Sequence, residues 1–340
     1  MTGGAQTERR GRLLKGSIPL PMPTTHTDEI TQPKTVLITG ASGLVGRRLT
    51  EMLLAQGFRV RHLGRKTAGR GLAATEAAVA RYEWDPPGAT IDEAAFDGVD
   101  AVVHLAGAGV ADARWTPGRR REILDSRTQS TQLLAQVMQK RSEMGLSLPE
   151  CVLSASAIGF YGDAGDRLCG ETDPPGTGFL AEVCQHWESA ALPMGRHTRL
   201  CIVRIGVVLS ARGGALPKMA QPMRWFAGGV LGSGRQYMSW IHIDDLCRLF
   251  MHLMGNHPSV GTYNAVAPLP VSQFVFLRVL ARQLNRPLWT WIPAPALRLL
   301  LGGMAETVLA SQKVSNERVQ SEGFRCRFPT VAQAMAEIFR

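Results

Sequence analysis

The chain has 340 residues, 45% of them apolar and 19% charged, with a formal net charge of +10. That is enough chain to bury a large core, and the composition is ordinary globular usage, which excludes extensive disorder. Lys and Arg are spread along the chain instead of forming one basic tract, and no segment reads as a membrane span, so nucleic acid and the bilayer interior are not the expected partners.

Residues 1–33 carry Thr, Pro and Arg without periodicity and read as a flexible leader, with Met22 as an alternative start; Asp28 and Glu29 do not suit a transit peptide. From Lys34 onward, apolar runs alternate with helical patterns, which predicts crossover units and a parallel sheet. The expected strands are Thr35 to Thr39, Arg59 to Leu63, Ala101 to Leu105, Cys151 to Ala155 and Leu200 to Arg204, with helices at Gly46 to Gln56, Gly118 to Lys140 and Phe179 to Leu192. The fold class is therefore α/β, a Rossmann-type doubly wound parallel sheet. Its dinucleotide-binding domain spans 34–206, with strand contributions from about 235–266, and 207–340 forms mainly a smaller C-terminal lobe.

Beyond Gly206 the sequence is rich in Gly and Pro, as substrate loops are. Helices are expected at Asp244 to Met254, Ser272 to Leu284 and Pro295 to Leu309. The apolar stretch Trp289 to Ala310 contains Pro293, Pro295, Arg298 and Glu306 and reads as a core-packing or interface helix, with a peripheral membrane role as the lesser alternative. The six cysteines show neither a C-x-x-C pair nor metal-ligand spacing, so reduced thiols in a cytoplasmic protein and no metal are expected.

The strongest chemical signal is Thr35-Val-Leu-Ile-Thr-Gly40-Ala-Ser-Gly43-Leu-Val-Gly46, which sets three glycines at i, i+3 and i+6 between a strand and a helix. Such a loop turns sharply, brings backbone amides to a pyrophosphate and places it on the positive helix end. At the end of the second strand, Val60-Arg-His-Leu-Gly-Arg65-Lys66 carries no acid to bond ribose hydroxyls. Arg65 and Lys66 suit a 2′-phosphate, favouring NADP(H) over NAD(H); the plainer alternative is two surface cations opening a loop.

These residues resemble the extended short-chain dehydrogenase/reductase superfamily, the NAD(P)-dependent epimerases and dehydratases, through T-G-x-x-G-x-x-G from Thr39 to Gly46. Asp100 to Gly107, Ser154-Ala-Ser156-Ala-Ile-Gly-Phe-Tyr161-Gly162 and Trp240-Ile-His242-Ile-Asp244-Asp245 continue the match in order. More narrowly, Trp84-Asp85-Pro86, Arg114-Trp115-Thr116, Ser126-Arg127, Trp187-Glu188 and Arg204 to Ser210 are similar to the YfcH-like epimerase subfamily, which ends in a domain of unknown function. The resemblance implies a cofactor site of Gly40, Ser42, Gly43, Leu44, Val45, Gly46 and Arg65. Asp85 would lie near the adenine, and Leu105, Ala106 and Gly107 under the ribose; a turn aspartate before Pro86 is the alternative for Asp85.

The superfamily's tyrosine acid/base, with a lysine four residues later, has no counterpart: no Y-x-x-x-K occurs, and Leu180 and Cys184 stand in those positions. Ser156 and Tyr161 are the replacement candidates for catalysis, against strand-end capping and a half-buried aromatic as their structural alternatives. Cys184 reads best as a packing residue, although it and Glu182 share the helix facing the expected nicotinamide. His242, Asp244 and Asp245 read better as helix-start structure than as an acid/base or metal set. The expected function is an NADP(H)-binding, epimerase/dehydratase-like oxidoreductase acting on a small substrate, anionic or sugar-derived. The competing function is an NADP(H)-sensing regulator or scaffold without turnover. No nucleic-acid partner and no stable membrane insertion are expected, and the protein should be a monomer or homodimer.

Overall fold

A computed structural model describes residues 1, 34–65 and 79–340. The expected leader beyond Met1, and Lys66, lie outside the described residues.

The apolar runs after Lys34 form one eight-stranded sheet. Its strands are β1 (Thr35–Thr39), β2 (Arg59–Gly64), β3 (Ala80–Asp85), β4 (Thr90–Ile91), β5 (Ala101–His104), β6 (Cys151–Ala157), β7 (Arg199–Ile205) and β8 (Gly261–Ala265). Their spatial order is β8-β7-β6-β5-β1-β2-β3-β4, parallel throughout except for the β3–β4 pair. Period-two alternation divides the sheet into two covered faces. Val36 and Ile38 of β1 pack with Leu49 and Leu53 of α1 (Leu44–Ala55), and Leu37 packs with Leu133, Leu134 and Met138 of α2 (Pro117–Glu143) on the other face. Thr116 caps α2 by accepting a hydrogen bond from Arg119 N at 3.2 Å, with Pro117 as the first helical residue, where its missing N–H costs nothing.

Strand β3 escapes a search for apolar runs because Ala80-Arg-Tyr-Glu-Trp-Asp85 buries only Trp84. At the other edge, β8 joins the sheet beside β7, so the chain returns to the sheet after leaving it at Ile205.

Outside the sheet, α4 (Ala215–Arg224), α5 (Ile243–Gly255) and α6 (Gln273–Gln283) follow in order. Leu216, Met223, Trp240, Phe276, Leu280, Phe328 and Met335 make a hydrophobic cluster of their own, apart from those on the two sheet faces. The single helix expected over Pro295 to Leu309 is two, α7 (Ala294–Leu301) and α8 (Ala305–Leu309). Gly302 breaks it with φ 57°, a left-handed conformation that favours glycine. Nor is α7 a core helix: Leu297 alone is buried, and Leu299 and Leu300 face outward. Among the described residues, no helix is long and apolar enough to cross a membrane.

Candidate functional site

Strand order reverses between β2 and β5 on either side of β1, and in an open α/β sheet this opens a crevice at the carboxyl ends of the strands. The glycine loop sits there. Gly40 adopts φ +66°, and a Cβ on it would lie 2.6 Å from Leu105 O and 2.9 Å from Ala106 N. A Cβ on Gly46 would lie 2.6 Å from Ala41 Cα. These two glycines let the loop press on the β5 end and on its own helix. Gly43 differs, since its Cβ would meet only Gly40 O, at 3.1 Å. It opens α1 with no side-chain cap and no acid in the first turn, so the amides around Leu44, Val45 and Gly46 face outward beside exposed Ser42. An uncapped helix end at a glycine-lined crevice fits a dinucleotide pyrophosphate.

Three buried side chains lock the crevice floor. Thr131 Oγ1 donates to Arg127 O at 2.7 Å, so His104 Nε2–H donates to Thr131, at 2.9 Å. His104 Nδ1 then accepts from Thr39 Oγ1 at 2.7 Å, and that oxygen accepts from Leu105 N and Ala106 N at 3.2 and 3.3 Å. Each hydroxyl and imidazole donor in the chain has its own acceptor, while Leu105 N divides its proton between Oγ1 and the carbonyl oxygen of Thr39, both at 3.2 Å. Burial drives the His104 imidazole down to about 3, so it is a neutral brace between β1 and β5.

Arg65 is exposed just past β2 on the same edge. Asp85, at the end of β3, turns its carboxylate over the following turn, with Oδ2 2.5 Å from where a Cβ on Gly88 would sit. Leu105, Ala106 and exposed Gly107 form the opposite lip.

Further along the edge, Ser156 Oγ donates to Glu188 Oε1 at 2.6 Å. Glu188, on α3 (Phe179–Ala191), is held by the fork of Arg204 on β7, with Nε to Oε1 at 2.9 Å and Nη2 to Oε2 at 2.8 Å. Their side chains are 11% and 5% exposed, a buried bidentate pair. Arg204 Nη1 also donates to Tyr161 OH at 3.0 Å, and Tyr161 donates to Asn264 Oδ1 at 2.7 Å. Tyr161 is 1% exposed, and burial pushes its phenol up to about 12 despite the opposing pull of Arg204. The structure thus brings Ser156 and Tyr161 into one network in which both are buried, at 2% and 1% exposed, with Ser156 next to the last residue of β6.

Leu180 and Cys184 do occupy the helix face against the turn after β6: a Cβ on Gly159 would meet Leu180 Cβ at 3.2 Å and Cys184 Sγ at 3.7 Å. Cys184 is buried, its thiol donating to Ala157 O at 3.5 Å, and burial raises it to about 11. Glu182 is exposed on the opposite side of the helix. His242 Nδ1 accepts from Asp244 N at 3.1 Å, capping α5. Asp244 pairs with Arg48 on α1 at 2.6 Å, and Asp245 accepts from Arg327 N and Phe328 N at 2.7 and 2.9 Å. That trio ties elements together, and no metal cluster occurs among the described residues.

A model of the NAD dependent epimerase/dehydratase family matches residues 36–266. The chain belongs to that family. Residues 292–338 match a domain of unknown function, DUF1731. Among curated relatives of this family member, the chloroplastic SDR39U1 homolog of Arabidopsis thaliana is 37% identical, covering 90% of this chain and 87% of the relative. An epimerase family protein of Staphylococcus saprophyticus is 36% identical, covering 90% and 99%. A crystal structure of human SDR39U1 isoform 2 with NADPH superposes at TM-score 0.79 with 30% identity, covering 90% of this chain and 99% of that one. The Thermus thermophilus UDP-glucose 4-epimerase complex with NAD, at 17% identity and TM-score 0.68, shares the fold.

For this epimerase-family chain, motif reading singled out the segments holding Glu188 and Arg204 but not their pairing. Their signal was present in the sequence: an arginine inside Leu200-Cys-Ile-Val-Arg204-Ile demands a buried partner. The brace through Thr39, His104 and Thr131 joins positions too far apart in sequence to be paired by spacing.

Proposed function

We propose that the protein is an NADP(H)-dependent oxidoreductase of the epimerase/dehydratase type, acting in a reducing compartment such as the cytoplasm on a small substrate held between the sheet edge and the C-terminal lobe. The observation that carries the cofactor choice is Arg65, an exposed cation where NAD-preferring sites place an acid. The NADPH in the human relative's structure supports it. In this reading the loop from Gly40 to Gly46, with Ser42, Leu44 and Val45, holds the pyrophosphate. Arg65 holds the 2′-phosphate, Asp85 borders the adenine, and Leu105, Ala106 and Gly107 line the ribose.

When bound, NADP(H) supplies hydride transfer. The chain's own part in proton handling falls to Ser156. Its hydroxyl proton points to Glu188, which leaves the Oγ lone pairs to accept a proton from a substrate hydroxyl while its own passes to the carboxylate. Arg204 fixes that carboxylate, and Tyr161 and Asn264 fix Arg204. Tyr161 is in this account a positioning residue.

Calorimetry tests the cofactor. Arg65→Ala should raise the NADPH Kd about tenfold or more, the worth of a charge-assisted hydrogen bond, with NADH binding unchanged. Equal losses for both cofactors would remove the NADP assignment, and wild-type protein binding neither would remove the function.

A second reading, a cofactor-sensing protein without turnover, is favoured by Leu180 and Cys184 filling the tyrosine and lysine positions. A change in nicotinamide absorbance driven by a copurifying metabolite and abolished in Ser156→Ala would exclude it.

A further inference from the structure

The lip after β5 is crowded with cations, and the one packed against Gly107 has no counter-charge. Arg119 is offset by Glu122 at 2.7 Å and Arg204 by Glu188, whereas no carboxylate stands within ion-pair distance of Arg127 among the described residues. Arg127 gives one hydrogen bond, from Nη1 to Ile123 O at 2.9 Å, and lays its guanidinium 5.0 Å from the Trp187 ring centre. It reaches the lip itself, since a Cβ on Gly107 would meet its Cζ at 3.2 Å. Burial, reinforced by the charge of Arg119, pushes its pKa down, as expected of a cation lacking an anion.

The surroundings offer donors and few acceptors. Trp187 Nε1, beside Arg127, and Arg119 Nε, on the same helix, are buried without a hydrogen-bond partner among the described residues. Lys218 of α4 approaches the same lip, donating to Ala111 O at 2.7 Å, and the nearby acids Asp112 and Glu122 are both largely exposed. Unsatisfied buried donors around an uncompensated cation call for an anionic acceptor.

A dinucleotide does not supply one here. Its phosphates belong to the glycine loop and to Arg65, across the crevice, while its nicotinamide is neutral when reduced and cationic when oxidised. We propose that Arg127 recognises an anionic group of the substrate, so that this site takes small molecules carrying a carboxylate or a phosphate. The inference rests on the cofactor reading above, and it assigns Arg127 to the substrate.

Calorimetry on the full chain loaded with NADPH, titrated with malonate in one arm and inorganic phosphate in another, tests it and tells the two anions apart. A saturable site for at least one of them is expected in the wild type. Arg127→Gln should weaken it about tenfold or more with the NADPH Kd changed less than about twofold, and Arg127→Lys should retain part of the affinity. Unaltered anion binding in Arg127→Gln, or no saturable site in the wild type, overturns the proposal. A selective loss of NADPH affinity in Arg127→Gln also overturns it, by giving the residue to the cofactor. If wild-type protein binds no NADPH, the cofactor reading fails on its own, and the anion titration of the unloaded protein still decides Arg127.

Discussion

Arg204 lies in a strand whose neighbours Ile202 and Val203 are buried, and there its charge is tolerable only because Glu188 meets it with two parallel hydrogen bonds. Taking both ions out of water costs several kcal/mol each, and their attraction roughly repays it while both are present. Removing one partner is a different matter. Arg204→Leu should therefore destabilise the fold by about 3–5 kcal/mol, read as a lower urea midpoint at unchanged slope, while the paired change Glu188→Leu with Arg204→Leu should recover most of that loss. If the double variant is no more stable than the single, the pair is not the source of the effect. Ser156→Ala should cost only about 1 kcal/mol, the net worth of one hydrogen bond, because the Glu188 carboxylate keeps its fork to Arg204. Ser156 thereby separates chemistry from stability, since its loss should stop turnover in a protein that still folds.

At the scale of elements, the glycines of the first β–α turn divide by what their missing side chains would strike. Gly40→Ala would force a left-handed residue with a Cβ 2.6 Å from Leu105 O, so it should lower Tm and weaken NADPH binding together. Gly43 has φ −74°, and its Cβ would touch only Gly40 O. Gly43→Ala should leave Tm within a few degrees while raising the NADPH Kd at least about tenfold, since it obstructs the ligand side of the loop. Equal Tm losses in the two variants would deny that division. This turn was legible in the sequence because its glycines, strand and helix are consecutive. So were β1, β5 and β6, each a buried apolar run. Strand β3 was not, because a near-edge strand with one buried side chain looks like a loop, and the break at Gly302 was hidden because a glycine inside a helical pattern does not reveal its φ. In the site, the loop was legible and the network around Arg204 was not, because its members come from five elements and meet only once the sheet has formed.

The molecule holds buried histidines and cysteines in their neutral forms, and that shapes how its stability varies with pH. Burial holds His104 near 3 and His62 near 4, with the charge of Arg81 adding to the second, while an unfolded histidine takes up its proton near 6.5. Between pH 6.5 and about 4 the unfolded chain therefore binds more protons than the native one, and stability must fall as the medium is acidified. On the alkaline side the sign reverses. Burial raises Cys184 to about 11 and Cys201 and Cys326 to about 12, above the ordinary thiol value, so their contribution is complete below the unfolded pKa and is lost as pH rises through it. Measured with reductant present, the urea midpoint should be flat from about pH 7 to 8 and decline on both flanks. His104→Gln should lower the plateau by breaking the brace to Thr39 and Thr131, and it should also make the acid flank shallower, because about one proton fewer is taken up on unfolding. An acid flank of unchanged slope in that variant would mean that His104 carries a proton in the folded protein. Thr39 Oγ1 would then lose its acceptor on Nδ1, and the crevice floor would need a different proton arrangement.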